Sequence, residues 1–260
     1  MTIDYDHASN LHTIEGPRAA LRRLWESDVP ASVLDVGCGT GTWLRAALEL
    51  GASEVFGVDG VEIPADSLLF PAENFRTLDL TSPIDLERNF DAVICLEVAE
   101  HLDQQYAGNL VQTLTRHSDY VVFSAACPGQ MGQHHVNCQW PHYWQSLFNV
   151  EGFYCQDEVR WQLWNESLIE PWYRQNIFVA RRDCKLASRE DRVKPVLHPE
   201  MIPHLVIEPT RDTIVKQIES GQMPPLWYVA SIFKSGAAKI RRKVGQRGSH
   251  NGHRKGYQPS

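Results

Sequence analysis

The sequence predicts an α/β protein, a doubly wound and mostly parallel sheet with helices on both faces. Three observations predict it. Short apolar runs alternate with segments of helical spacing. The first of these runs feeds into a glycine-rich turn that is followed by another helical segment. Finally, 43% of the 260 residues are apolar and 22% are charged, the balance of a chain that folds around a core of ordinary size.

Taken in order, Ala19, Leu21, Leu24 and Trp25 follow Gly16-Pro17 at helical spacing, so a first helix is expected to about Ser27, before Asp28 and Pro30. Ser32 to Val36 reads as a buried strand that runs into Gly37-Cys38-Gly39-Thr40-Gly41. Thr42 to Leu50 places Leu44, Ala47 and Leu48 on one face and stops at Gly51, as a capped helix does. Further strands are expected at Glu54–Val58, Phe75–Leu78, Phe90–Leu96 and Tyr120–Ala125, with helices over Gln104–Arg116 and Trp140–Phe148. The run WYRQNIFVAR, Trp172 to Arg181, reads as a last strand, antiparallel and near the edge. Beyond Arg182 the chain turns Pro- and charge-rich, then offers a helix with Ile214 and Ile218 on one face that ends at Gly221, and an apolar run from Leu226 to Phe233. The expected organisation is an N-terminal lid and helix over 1–28, a catalytic domain over 29–182, an extension over 183–235 and a basic, disordered tail over 236–260.

Composition narrows the function. No apolar run reaches the roughly 18 residues that a membrane helix needs. The first ten residues hold Asp4 and Asp6 and no basic side chain, unlike a secretory signal, so a cytoplasmic protein is expected. Cys38, Cys95, Cys127, Cys138, Cys155 and Cys184 are spread singly, which excludes a zinc ribbon or a thioredoxin-type pair and fits buried, reduced thiols. The net charge of −7 conceals a tail of +7, from Lys239 to Lys255, on a body of −14. Such a tail suits a solvated end or an electrostatic tether. Residues 140–173 carry ten of the 25 aromatic rings, either as a packing layer or as the wall of a pocket.

The most informative segment is Val33-Leu34-Asp35-Val36-Gly37-Cys38-Gly39-Thr40-Gly41. A dinucleotide loop, G-x-G-x-x-G/A, would need a small residue where Thr42 stands. The pattern present, D-x-G-x-G-x-G, resembles motif I of the class I S-adenosylmethionine-dependent methyltransferases. Downstream segments fit the same family. Val55 to Asp59 ends in an acid at the position that holds the ribose hydroxyls, although NAD proteins also carry an acid there. Phe75-Arg76-Thr77-Leu78-Asp79-Leu80 resembles the motif whose acid meets the adenine amino group. Phe90 to Glu97 resembles the fourth-strand motif beside the transferable methyl. The resemblance spans residues 29–182 and implies a seven-stranded Rossmann-like sheet, with Asp35, Gly37, Gly39, Gly41, Asp59, Asp79, Leu80 and Leu96 at the cofactor. It also implies a lid formed by Asn10 to Gly16.

After the fourth strand, Glu97, Glu100 and His101 form E-x-x-E-H, and after the fifth come His134 and His135. Ligands of a parallel sheet gather at the carboxyl ends of the strands, where both groups are expected to converge. His135, His134, Glu97 and His101 are the candidate proton acceptors, with His135 preferred over its neighbour. The pattern resembles both the ubiquinone-pathway O-methyltransferases and the small-RNA 3′-terminal 2′-O-methyltransferases, which hold magnesium at these positions. Acids in a first helical turn need no metal, so the reading is metal-free, with Glu97, Glu100, His101 and His135 as the alternative ligand set. The loop from Pro128 to Pro141, rich in His, Asn, Gln and Trp, loosely resembles substrate loops of methyltransferases encoded beside glycan and natural-product genes. The expected activity is therefore O-methylation of a small polar acceptor, a sugar, glycoconjugate or natural product. The alternatives are a metal-assisted RNA 2′-O-methyltransferase that uses the basic tail, and a non-catalytic cofactor-binding module. The acidic body weighs against nucleic acid.

Overall fold

The computed structural model describes residues 13–26 and 28–205. Helix α1 (Glu15–Leu24) buries Ala20 and Leu21 and ends before the expected limit of about Ser27, the Trp25 N–H closing on the Leu21 carbonyl at 2.9 Å. Strand β1 (Ser32–Val36) and helix α2 (Thr42–Leu50) flank the glycine loop. Both ends of α2 are glycines in the left-handed region, Gly41 at φ 85° and Gly51 at φ 117°, where other residues are strained.

Strands β2 (Glu54–Asp59), β3 (Phe75–Thr77), β4 (Ala92–Leu96) and β5 (Tyr120–Ser124) fall where the apolar runs predict them, β2 longer by one residue and the other three shorter by one or two. Helix α3 (Ala107–His117) follows a 3-10 turn at Gln104–Tyr106, and α4 (Pro141–Val150) starts on a proline, whose fixed φ and missing N–H suit a first helical turn. The C-terminal half of the domain departs from expectation. Strand β6 (Phe153–Gln156), four residues long, is too short to carry a readable alternation. The expected strand Trp172–Arg181 divides into helix α6 (Pro171–Asn176) and strand β7 (Phe178–Arg182), because Pro171 nucleates a turn and Ile177 returns the chain to an extended conformation. Between β6 and α6 lies the short helix α5 (Glu158–Leu163).

The seven strands run in the order β3-β2-β1-β4-β5-β7-β6. The first five are parallel. β7 is antiparallel to both of its neighbours, so the edge belongs to β6. Each face is covered, as the fold class requires. Along β4, Val93 and Cys95 enter a core with Leu110 and Leu114 of α3 and with Trp144 and Phe148 of α4. Ala92, Ile94 and Leu96 point the other way, into a core with Leu21 of α1, Leu44 of α2, Leu163 of α5 and Tyr173 of α6. This two-sided burial is why β4 reads as a continuous apolar run. The strand order reverses between β1 and β4, and a crevice opens at their carboxyl ends. Among the described residues no helix is long and apolar enough to cross a membrane. The lid segment before Thr13, the helix around Ile214 and Ile218, the run Leu226–Phe233 and the basic tail lie outside the described residues.

Candidate active site

A cavity of about 300 Å³ occupies the crevice, walled by the ends of β1, β2 and β4 and by Thr42 and Trp43 of α2. The glycine loop shapes one side. Gly37 and Gly39 have φ of 84° and 51°, and the N–H groups of Gly37 and Cys38 both donate to the Val58 carbonyl, at 2.7 and 3.1 Å. A Cβ on Gly37 would overlap the Val98 side chain, so the turn that follows β4 can approach the loop only because residue 37 has none. Asp59 locks the loop from the opposite strand: one carboxylate oxygen accepts the Gly39 N–H at 2.8 Å, the other the Val61 N–H at 2.9 Å. Asp35 is buried beneath the cavity. Burial, reinforced by the charge of Asp59, raises its carboxyl well above the ordinary range.

Asp79, Leu80 and Leu96 also line the cavity. Asp79 is turned by its own loop, its Oδ1 accepting the Thr81 hydroxyl at 2.6 Å and the Thr81 N–H at 2.9 Å, which holds its carboxyl below the usual range. Gly41 does not line the cavity. Its Cα lies against the Phe70 ring, and its part is to give the loop its exit angle into α2.

Glu97 lines the cavity from the end of β4. Its backbone sits at φ 54°, a strained conformation for a non-glycine residue, and its N–H reaches the Ser124 carbonyl at 3.1 Å and the Ser124 hydroxyl at 3.2 Å. Two carboxamides hold the side chain: Gln130 Nε2 donates to Oε2 at 2.7 Å, and Asn176 Nδ2 donates to Oε1 at 3.2 Å. Asn176 also donates to Gln130 Oε1 at 3.0 Å, and Gln175 donates to Asn176 Oδ1 at 3.0 Å while accepting the His198 N–H at 2.7 Å. A directional chain of amides thus runs from residue 198 to Glu97. Burial raises the Glu97 carboxyl, and the donors from Gln130, Ser124 and Asn176 oppose that rise.

Behind this wall, Glu100 is fully buried; among the described residues no hydrogen bond of good geometry reaches either of its oxygens, while the backbone N–H groups of Glu100 and Ala126 and the Glu97 carboxyl lie close enough to interact with it. Burial and the Glu97 charge raise its carboxyl well above the ordinary range. His135 Nε2 lies 3.9 Å from Glu100 Oε1, and the His135 and His101 rings stand edge to face with centroids 5.0 Å apart. Burial lowers the pKa of both imidazoles, that of His101 to about 4 with help from His135. Of the four candidate proton acceptors, Glu97 and His101 line the cavity and His134 and His135 do not. His134 is exposed at φ 51°, and its carbonyl oxygen lies 3.4 Å from His101 Nδ1.

Sequence reasoning missed Thr40, Thr42, Trp43 and Tyr173 on the cavity wall, and Gln130 and Asn176 behind it. Trp43 follows the glycine loop directly, a legible position. Tyr173 and Asn176 were hidden by the misread strand. Of the ten aromatics in residues 140–173, only Tyr173 lines the cavity, its ring 5.1 Å from Trp43. Trp144, Phe148 and Phe153 pack in the core against Phe123 and Phe178, so the aromatic stretch is mainly a packing layer.

The model of a methyltransferase domain family matches residues 9–166. The chain belongs to this family. Among solved structures, the methyltransferase is similar to the sugar N-methyltransferase KedS8 from a Streptoalloteichus species, at 17% identity and TM-score 0.52, over 68% of this chain and 91% of the other. It is also similar to an amino pentose methyltransferase, CalS10, from Micromonospora echinaspora (17% identity, TM-score 0.47, 66% and 92% covered). A third similar structure is the magnesium protoporphyrin IX methyltransferase of Synechocystis with bound S-adenosylmethionine (22%, 0.45, 64% and 76%). No curated protein matches the sequence. The strand order and the antiparallel β7 are those of the class I S-adenosylmethionine-dependent methyltransferases, and S-adenosylmethionine is the cofactor of that class.

Proposed function

We propose that the methyltransferase transfers a methyl group to a hydroxyl of a small polar acceptor, a sugar, glycoconjugate or natural product. The observation that carries this reading is Glu97: an acid at the end of β4, lining the same cavity as the glycine loop and Asp59, with a donor fixed on each oxygen. A carboxylate so oriented can accept the hydrogen bond of an acceptor hydroxyl and take up its proton as the new O–CH3 bond forms, a contribution typically worth about 10²–10⁴-fold.

In this reading Asp35, Gly37, Gly39, Asp59, Asp79, Leu80 and Leu96 surround S-adenosylmethionine, and Gly41 sets the loop. The cavity fits the group. Its about 300 Å³ is in the range of small-ligand sites, and the loop has no side chain at Gly37 and Gly39 to block close approach. When bound, the cofactor supplies an electrophilic methyl on a sulfonium. The chain's own contribution is then chiefly positioning, which can lower such a barrier by about 7–11 kcal/mol. Trp43, Leu102 and Tyr173 contribute apolar wall that excludes water from the cavity. His101 lines it beside Glu97, and burial keeps its imidazole neutral and weakly basic, which leaves Glu97 as the preferred proton acceptor.

The test is incubation of the purified protein with methyl-labelled S-adenosylmethionine and fractionated polar metabolites, sugar nucleotides and short RNA. NMR of the labelled product then distinguishes an O-methyl from an N-methyl group. The expected product is an O-methylated small molecule. Label found only on nitrogen, or only in RNA with a steep loss at higher salt, would replace this reading. Tight cofactor binding without transfer to any fraction would favour a non-catalytic module.

A further inference from the structure

Trp161 departs from the packing layer around it. Its indole is 51% exposed, while the nine other rings of residues 140–173 are buried or half-buried. It stands on α5 beside Trp164, three residues on and therefore on the same helical face, with ring centroids 5.1 Å apart and planes 32° from parallel. Behind Trp164 lies the buried His198 ring at 4.4 Å. Three rings thus form one row, its inner end enclosed and its outer end open to solvent. A single apolar side chain on a surface needs no explanation, but an exposed indole built on two supporting rings does.

The support is rigid. His198 Nδ1 accepts the Glu200 N–H at 3.2 Å and its Nε2 lies 2.9 Å from the Trp164 carbonyl oxygen, which assigns the ring proton to Nε2 and fixes the imidazole against the indole. The same carbonyl takes a second donor, Arg174 Nη1 at 3.2 Å, and Arg174 is itself held by Glu200. Helix α6 therefore carries both the arginine that anchors this row and the Tyr173 that lines the cavity. The surroundings of the exposed ring are polar and uncharged: Gln162, Asn165 and Ser167 are exposed, and their side chains engage no hydrogen bond among the described residues.

We propose that the exposed face of Trp161 is a binding site for a pyranose ring, the remote sugar of a glycan-bearing acceptor. A flat indole stacks on a flat ring face lined with C–H groups. A β-linked pyranose of the gluco configuration offers one, since its hydroxyls and linkages are equatorial and only axial hydrogens project from its faces. Gln162, Asn165 and Ser167 supply donors and acceptors for the hydroxyls around its edge. Charge complementarity selects against nucleic acid. Bases also stack on indole, but their backbone needs cations, and those of α5 and α6, Arg160 and Arg174, are buried and held by Asp157 and Glu200, while Glu158 is exposed. A ring already held in place loses little conformational freedom on binding. The inference deepens the proposed function and rests on it for what is methylated, while sugar binding is measurable without any transfer.

The experiment titrates the full chain with cellopentaose and chitopentaose, followed by tryptophan fluorescence and by saturation transfer to the sugar protons. Saturable binding is expected, with the axial ring protons saturated ahead of the exocyclic ones. Trp161→Ala is expected to weaken it by at least roughly fivefold and Trp161→Phe to retain part of it, with S-adenosylmethionine affinity unchanged in both as evidence of an intact fold. Absence of saturable binding of both sugars in a chain that binds S-adenosylmethionine would overturn the site and leave the methyltransferase reading standing. Sugar affinity that Trp161→Ala leaves unchanged would overturn it too, as would tighter binding of a short oligothymidylate. A dimer in sedimentation that Trp161→Ala dissociates would assign the indole to a second copy of the chain instead.

Discussion

Asp59 accepts the backbone N–H of Gly39 at 2.8 Å, so the acid that ends β2 also pins the loop that ends β1. Asp59→Ala therefore removes two things at once, an acceptor facing the cavity and the tether that presets the loop. A charge-assisted hydrogen bond is worth about 1.5–3 kcal/mol, which corresponds to a loss of roughly 10- to 100-fold in S-adenosylmethionine affinity by calorimetry. Gly39→Val should weaken binding as well, since φ 51° strains a β-branched residue. Unchanged affinity in both variants would remove the glycine loop from the cofactor site.

Two glycines separate packing from propensity. Gly41→Ala meets a left-handed backbone and the Phe70 ring together, and should destabilise the protein by about 1–3 kcal/mol. Gly108, in the first turn of α3, has open space where a Cβ would go, so Gly108→Ala should stabilise by about 0.5–1 kcal/mol. Urea unfolding measures both, and equal signs would contradict the assigned backbone at Gly41.

The legible part of this fold was the part with strong local patterns. Val33 to Gly41 combines a run of apolar residues with glycines that only a tight turn requires, and β4 is buried on both faces, so both stood out. The C-terminal strands did not. In Phe153–Gln156 the pattern is too short, and in Pro171–Arg182 helix and strand share one apolar run whose division is set by Pro171 and by packing of Tyr173 into the core. The site was legible to the same degree. Glu97, Glu100, His101 and His135 were visible as chemistry-bearing residues, but which of them face the cavity depends on the loop after β5, whose hydrogen bonds to residues 204 and 205 no local pattern encodes.

Asp35 gives a pH signature. Its carboxyl titrates well above the unfolded value of about 3.9, so the folded state retains a proton that the unfolded chain has lost. For a raised acid, stability is greatest below the unfolded value and declines as pH rises toward the folded one, by up to about 1.4 kcal/mol per pH unit. Asp35→Asn removes that decline. The variant's stability relative to the parent should rise steadily above about pH 4 when cofactor is absent, as measured by denaturant titration at several pH values. A gap independent of pH would mean that burial does not hold the Asp35 proton.

The segment beyond β7 is tied to the domain through a buried cation. Arg160 is wholly enclosed, donating to Asp157 at 2.9 Å and to the Lys194 carbonyl at 3.0 Å, while its Nε and second terminal nitrogen have no hydrogen-bond partner among the described residues. Asp157→Ala strands the charge and should cost about 1–3 kcal/mol, moderated because Asp157 is partly exposed. Arg160→Met removes the charge together with its unpaired donors, keeps the bulk of the stem, and should cost less. The ordering carries a functional consequence, because the tethered segment continues to His198, whose N–H fixes Gln175 at the head of the amide chain that ends on Glu97. Denaturant unfolding of the two variants decides it: a greater loss in Arg160→Met would show that the guanidinium is a net stabiliser of the segment.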